Sequence, residues 1–222
     1  MSTKIGIISE GPIDHVLLPP LLSRIAEVKA QFRWPVAGED MAEVLPIRKM
    51  GHGGVLEKVR TLVRFLEKEP LGYELFVVVP DRPTRSVQQE LRQLTSGKSR
   101  FVLGIAIEEI EAWWLGDRTN TLSWSGFTHT SLPPCRCRQA YAAERDAEPK
   151  RTLHELTELS DRLDSVYGDG NTELARQFAE DHWKRNARLD EMSTQCPRGF
   201  GAFLQDMADA FRWTRSKQGL LF

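Results

Sequence analysis

Five acidic residues, Glu10, Asp14, Asp81, Glu108 and Glu111, stand just beyond short apolar runs. The run Ile5-Gly6-Ile7-Ile8 leads into Ser9-Glu10-Gly11-Pro12-Ile13-Asp14, and Leu75-Phe76-Val77-Val78-Val79 leads into Pro80-Asp81. A third run, residues 101–107, leads into Glu108-Glu109-Ile110-Glu111. Carboxylates held close together repel, and burial raises the cost. A hard divalent cation such as Mg²⁺ or Mn²⁺ relieves the repulsion, because these ions prefer oxygen ligands. Such an ion also stabilises a phosphoryl group under attack. A single acid after a strand has a plainer use, capping the next helix. Asp14 and Asp81 each precede or open a helical pattern, and Glu109 is expected to face solvent. It is the set of acids that points to a metal.

For these acids to meet, the apolar runs must be neighbouring strands of one sheet. Strands are predicted at 4–9, 44–47, 74–79 and 101–107, alternating with helical periodicity over 14–30, 55–67, 85–94 and 108–115. Pro19 and Pro20 interrupt the first helix near its start, and Gly51-His52-Gly53-Gly54 reads as a flexible turn. This alternation implies an α/β fold, a Rossmann-like parallel four-stranded sheet flanked by helices. Ligands of such sheets gather beyond the carboxyl ends of the strands. On a helix over 108–115, Glu108 and Glu111 are three apart and share one face. Beyond Asp117 the strand pattern stops. Residues 119–134 are rich in Ser, Thr and Pro and read as loop, and helical patterns cover 152–166, 171–189 and 201–213. The division expected is an α/β domain over 1–117 and a mainly helical subdomain over 118–222.

Composition narrows the class. With 41% hydrophobic and 27% charged residues and a formal net charge of -1, the chain is of ordinary globular type. No apolar run approaches the roughly 20 residues that span a bilayer, and the apolar run at the N-terminus is too short for a signal peptide. Three cysteines suit a reducing cytoplasm better than a disulfide framework. Cys135, Cys137, Cys196 and His129 are enough donors for zinc, although their spacing does not demand it, and free thiols are the simpler reading. The sequence holds no nucleophile elbow and no Gly-x-x-x-x-Gly-Lys-[Ser/Thr] phosphate loop.

The motif Glu10-Gly11-Pro12-Ile13-Asp14 resembles the Glu-Gly-x-x-Asp of the Toprim superfamily, the metal-binding domain of topoisomerases, primases and overcoming-lysogenization-defect nucleases. The stretch from Ile105 to Asp117, "IAIEEIEAWWLGD", is similar to a bacterial Toprim-like family, domain of unknown function number 4276. The Gly-rich turn and Pro149-Lys150 also suit that family. Where Toprim proteins carry Asp-x-Asp, this chain has Asp81-Arg82-Pro83, so the second acid is missing. The resemblance implies a Toprim-like sheet and Mg²⁺- or Mn²⁺-dependent cleavage of phosphodiesters in DNA or RNA. It implies metal ligands among Glu10, Asp14, Asp81, Glu108 and Glu111, with Glu10 and Asp81 catalytic and Glu108 or Glu111 replacing the lost acid. It further implies a role in phage defence beside a separate ABC- or AAA-type ATPase. A non-catalytic module binding an ATPase or nucleic acid stays open, as does a homo-oligomer.

Phosphate contact is expected from Lys58, Arg60, Lys150 and Arg151, and from a basic stretch that includes Lys184, Arg185, Arg188, Arg198, Arg212, Arg215 and Lys217. Each has an ordinary alternative as a solvated helix face. His52 is placed to touch a phosphate or simply to sit at the surface. Trp113 and Trp114 are candidates for base stacking or for the core.

Overall fold

The computed structural model describes residues 4–29, 42–47, 51–66, 73–132, 136, 143–168 and 172–217. Four parallel strands, β1 (Ile5–Ser9), β2 (Ala42–Val44), β3 (Leu75–Val79) and β4 (Phe101–Leu103), form one sheet in the order β2-β1-β3-β4. The central pair is in register from Ile5↔Leu75 to Ser9↔Val79. Both central strands are buried along their whole length. That is why they read as unbroken apolar runs rather than as alternation.

Successive side chains of a strand point to opposite faces, and each face has its own helices. Ile8, Phe76 and Val78 pack with Val55, Val59, Leu62 and Leu91, which belong to α2 (His52–Leu66) and α3 (Arg85–Thr95). Ile5, Ile7, Leu75, Val77 and Val79 face α1 (Pro12–Lys29) and the helices of the C-terminal half. Helix α1 lies between these layers, with Leu17, Leu18, Leu21, Leu22 and Ile25 all fully buried. Pro19 and Pro20 sit inside it; the buried surface outweighs the two backbone donors they remove.

The C-terminal part is helical, as expected. Helix α4 (Ile110–Gly116) closes the α/β part, and beyond it come α5 (Arg118–Trp124), a short 3₁₀ turn (Ala143–Arg145), α6 (Pro149–Glu158) and α7 (Thr172–Phe178). Helix α7 runs through a π-turn (Ala179–Trp183) into α8 (Lys184–Asn186). Then come α9 (Leu189–Gln195), a second π-turn (Pro197–Gly201) and α10 (Ala202–Lys217). Its aromatic residues interlock with the sheet side: Trp113 stacks on Phe203 with ring centroids 5.2 Å apart, and Trp114 stacks on Phe178 at 4.8 Å.

Several local expectations are corrected. Residues 118–124 form a helix, not loop, because Leu122 and Trp124 bury one face of it in the main core. Thr121 Oγ1 donates to Asp117 O at 2.8 Å and Ser125 Oγ to Thr121 O at 2.9 Å, which satisfies these buried hydroxyls. The turn at residues 51–54 is not loose. Gly51, at φ 80°, begins α2, and its carbonyl accepts from Val55 N–H at 3.3 Å. Strand β2 lies at 42–44 rather than 44–47. Strand β4 ends at Leu103, and past it an Asp81↔Ala106 bridge, with Gly104 N–H donating to Val78 O at 2.9 Å, carries the contact on. Helix α4 starts at Ile110, so Glu108 is not on it and does not share a helical face with Glu111. Cys135 and Cys137 lie outside the described residues. Cys196 is buried and free, and burial raises its thiol pKa. Among the described residues no helix is long and apolar enough to cross a membrane.

Candidate metal centre at the carboxyl edge of the sheet

The chain leaves β1 toward α1 on one face and reaches β3 from α2 on the other. The direction of winding therefore reverses between β1 and β3, which makes a crevice beyond their carboxyl ends. Glu10 directly follows β1, and Asp81 lies two residues past the end of β3. The sequence thus delivers both acids to that crevice.

Asp14 is the third position of α1. Its Oδ2 accepts from the backbone N–H of Gly11 at 2.9 Å and of Glu10 at 3.1 Å. These are the donors a helix start leaves open, so Asp14 does cap its helix. It is also only 1% exposed. Burial raises its pKa to about 7, against the two amide bonds, with the charges of Glu111 and Glu10 adding to the rise. Asp81 does not cap α3; that position belongs to Thr84, whose hydroxyl accepts from Val87 N–H at 3.4 Å. Instead Asp81 Oδ1 accepts from Ile110 N–H at 3.1 Å, tying the end of β3 to the start of α4. Burial, then the charges of Asp14, Glu111, Glu10 and Glu109, push its pKa well above the usual carboxylate range.

Glu111 points in from the first turn of α4 and is 1% exposed. The Tyr167 hydroxyl donates to its Oε1 at 2.5 Å. Burial raises the Glu111 pKa, while Tyr167 and the Lys150 charge oppose the rise. Glu10 is half-buried, and its pKa is raised by burial against the charge of His52. His52 Nε2 lies 2.5 Å from the Asp81 carbonyl and 3.1 Å from Glu10 Oε1. A carbonyl only accepts, so Nε2 carries the proton and aims it at Asp81 O. Glu10 Oε1 is close to the ring without a well-directed hydrogen bond.

Cations line the other side. Lys150, at the start of α6, reaches Glu109 Oε1 at 3.4 Å. Burial disfavours its charge, but Glu111, Glu109 and Asp81 together raise its pKa. Arg82, at φ 44°, pairs with Glu108 at 3.3 Å and Glu109 at 3.8 Å and donates to Ala147 O at 2.8 Å. Pro83 contributes no ligand atom.

The structure therefore brings together Asp14, Asp81, Glu111 and Glu10. Glu108 turns to Arg82, 3.3 Å away. Glu109, expected to face solvent, is half-buried beside Lys150. Lys58 is half-buried on α2, Arg60 pairs with Glu90, and Arg151 pairs with Glu148 at 3.7 Å and Glu155 at 3.5 Å. Lys184 pairs with Glu180 at 2.7 Å, Arg188 with Glu191 at 3.4 Å, and Arg185 is exposed. Lys58 and Arg60 are on the opposite face of the sheet from Lys184, Arg185 and Arg188, so these basic residues do not form one surface. Arg198 holds Glu144 at 3.1 Å and Arg212 pairs with Asp209, while the side chains of Arg215 and Lys217 lie outside the description. Trp113 and Trp114 are 1% and 0% exposed, so neither can stack a base.

Reasoning from the sequence missed Tyr167. It comes from beyond α6, held by Thr157 Oγ1 accepting its N–H at 2.7 Å and by His154 Nδ1 2.7 Å from its carbonyl. No local pattern could have linked it to Glu111, which lies 56 residues earlier. Arg82 was identifiable only as the residue occupying the middle of the altered Asp-x-Asp.

The donors at this edge are carboxylate and hydroxyl oxygens, the type a hard divalent cation prefers. Glu111 Oε2, Glu10 Oε1 and Ser9 Oγ are buried without a hydrogen-bond partner, a costly state for polar atoms. Among the described residues no three His, Cys, Asp or Glu side chains are already drawn together as a ligand set. The chain matches no protein-family model, no curated protein and no solved structure.

Proposed function

We propose that this protein is a Toprim-like, divalent-cation-dependent phosphodiesterase that cuts DNA or RNA. One observation carries the reading: the charges of Asp14, Glu111 and Glu10 all act on the buried Asp81 at the reversal point of a parallel sheet, and Glu111 Oε2 is buried without a hydrogen-bond partner. When bound, Mg²⁺ or Mn²⁺ stabilises negative charge developing on phosphoryl oxygens. Asp81 and Glu111 would hold the ion, with Asp14 beside them, and Ile110 N–H and the Tyr167 hydroxyl fix these two carboxylates in place. Glu10, the more accessible acid, takes a proton from the attacking water at a carboxylate oxygen. Lys150 and Arg82 line the rim and counter the charge of an approaching phosphate. With no phosphate loop in this chain, nucleotide-driven action in phage defence requires a separate ATPase.

A second reading is a non-catalytic module that binds such an ATPase or nucleic acid. Pro83 in place of the second acid favours it, as does the way Lys150 and Arg82 already offset Glu109 and Glu108. Calorimetric titration with Mn²⁺, together with cleavage of labelled single- and double-stranded DNA and RNA, separates the two. Nuclease chemistry requires Mn²⁺ binding and cleavage that Asp81→Asn and Glu10→Gln both abolish. Unchanged Mn²⁺ binding in both variants leaves the module.

A further inference from the structure

The acid edge has two sides, and the two-residue period of the strands sorts its residues between them. Ile5 and Ile7 of β1 pack with α1 and α4, whereas Ile8 packs with α2 and α3. By the same alternation Ser9 points to the α1 side and Glu10 to the α2 side. The surroundings of Glu10 agree. Its Oε1 lies 3.1 Å from His52 Nε2, and a Cβ on Gly51 would stand 3.8 Å from its Oε2. Val79, which pairs with Ser9, faces the α1 side, and so by the period does Asp81. Asp81 Oδ1 accepts there from Ile110 N–H of α4, whose first turn also carries Glu111.

Ser9 is the residue on this side that has no structural use for its polar atom. It is 1% exposed, and its hydroxyl oxygen has no hydrogen-bond partner among the described residues. Strand packing does not ask for a hydroxyl here, since Ile7 and Ile5, earlier on the same face, are apolar and fully buried. A buried hydroxyl left unpaired is costly. Acids stand around it. The Asp14 carboxylate is tied to the N–H groups of Glu10 and Gly11, the two residues that follow Ser9. Glu111 Oε2 is likewise unpaired, in a side chain also 1% exposed. A direct bond from the Ser9 hydroxyl would satisfy both oxygens, but none is formed.

A cation that takes a lone pair from each satisfies both at once. A hydroxyl is a hard oxygen donor, as the Ser or Thr of a phosphate loop is toward Mg²⁺. Being neutral, it adds a ligand without adding another negative charge to the cluster. We propose that Ser9 is a further ligand of the divalent cation, its Oγ holding the ion with Asp81 and Glu111 on the α1 side of the sheet's end. Glu10 then stands across the strand with His52, on the side away from the ligands. This role for Ser9 rests on the metal reading given above and adds to it a neutral donor and a side.

The test is calorimetric titration of the full chain with Mn²⁺, and melting curves with and without the ion, for the parent, Ser9→Ala and Ser9→Cys. Ser9→Ala should bind Mn²⁺ about tenfold or more weakly. Without metal it should melt no lower than the parent, because no protein hydrogen bond is removed. Ser9→Cys exchanges a hard donor for a soft one. It should bind Mn²⁺ more weakly than the parent and Cd²⁺ more tightly, with a thiolate-to-Cd²⁺ absorption band in the ultraviolet. Adding Asp81→Asn to Ser9→Cys should remove that band. Ser9 is not a ligand if Ser9→Ala binds Mn²⁺ as the parent does, if it melts lower without metal, or if Ser9→Cys gains no Cd²⁺ band over the parent. In each of these cases the metal reading still stands, provided that Asp81→Asn weakens Mn²⁺ binding. A parent chain that binds no Mn²⁺ overturns both.

Discussion

Asp14→Asn tests the acid cluster with a single atom exchanged. The amide oxygen of Asn accepts the Glu10 and Gly11 N–H bonds as the carboxylate does, so the helix cap survives and only the charge is lost. In the fold the Asp14 carboxyl titrates at about 7 rather than 3.8, chiefly through burial. Its folded pKa is the higher one, so the folded state binds more protons between the two values, and stability falls as pH rises across that window. A rise from 3.8 to about 7 corresponds to roughly 4 kcal/mol lost once Asp14 is ionised. The variant avoids that loss. At pH 8 without metal, Asp14→Asn should melt higher than the parent by up to about 10 °C for a chain of this size. At pH 4 the two should nearly coincide. Melting curves followed by circular dichroism from pH 4 to pH 9 give both numbers. Adding Mn²⁺ at pH 8 should narrow the gap by stabilising the parent more. If Asp14→Asn melts lower than the parent at pH 8 and at pH 4 alike, Asp14 is a cap and nothing more, and the electrostatic argument fails.

Other outcomes follow from single contacts. Tyr167→Phe removes the donor to Glu111 Oε1; it should cost about 2 kcal/mol at pH 8 and less at pH 5, by urea denaturation. Gly104→Ala places a Cβ 2.9 Å from Phe203 and 3.1 Å from Trp113, so it should destabilise by about 1–3 kcal/mol in the same assay. Reversing Arg185 and Arg188 to Glu should lower the salt dependence of nucleic-acid binding by about two in log–log slope if both meet phosphate; an unchanged slope removes these residues from any interface.

The sheet was readable because its central strands are buried on both faces, which leaves runs such as Leu75–Val79 that have few other uses. The acids at its edge were readable for the same reason, since a parallel sheet gathers its strand ends. The C-terminal detail was less so. Ser and Thr in 118–124 look like loop until Leu122 and Trp124 find the core, a tertiary burial that composition does not reveal. Which acid of Glu108-Glu109-Ile110-Glu111 turns inward depended on where α4 begins, and a shift of two residues moved Glu108 out to Arg82. Partners distant in sequence, Tyr167 above all, left no local trace.

One hydrophobic cluster contains Ile5, Val77 and Leu21 from the first half and Phe178, Trp183 and Phe203 from the second. A chain cut after residue 117 would leave Trp113 and Trp114 facing water, together with the apolar side of α1. The acid edge and the helices beyond it therefore share one fate in unfolding. A lesion deep among the C-terminal aromatics would reach Glu111 and Asp81 as surely as a change at the strand ends.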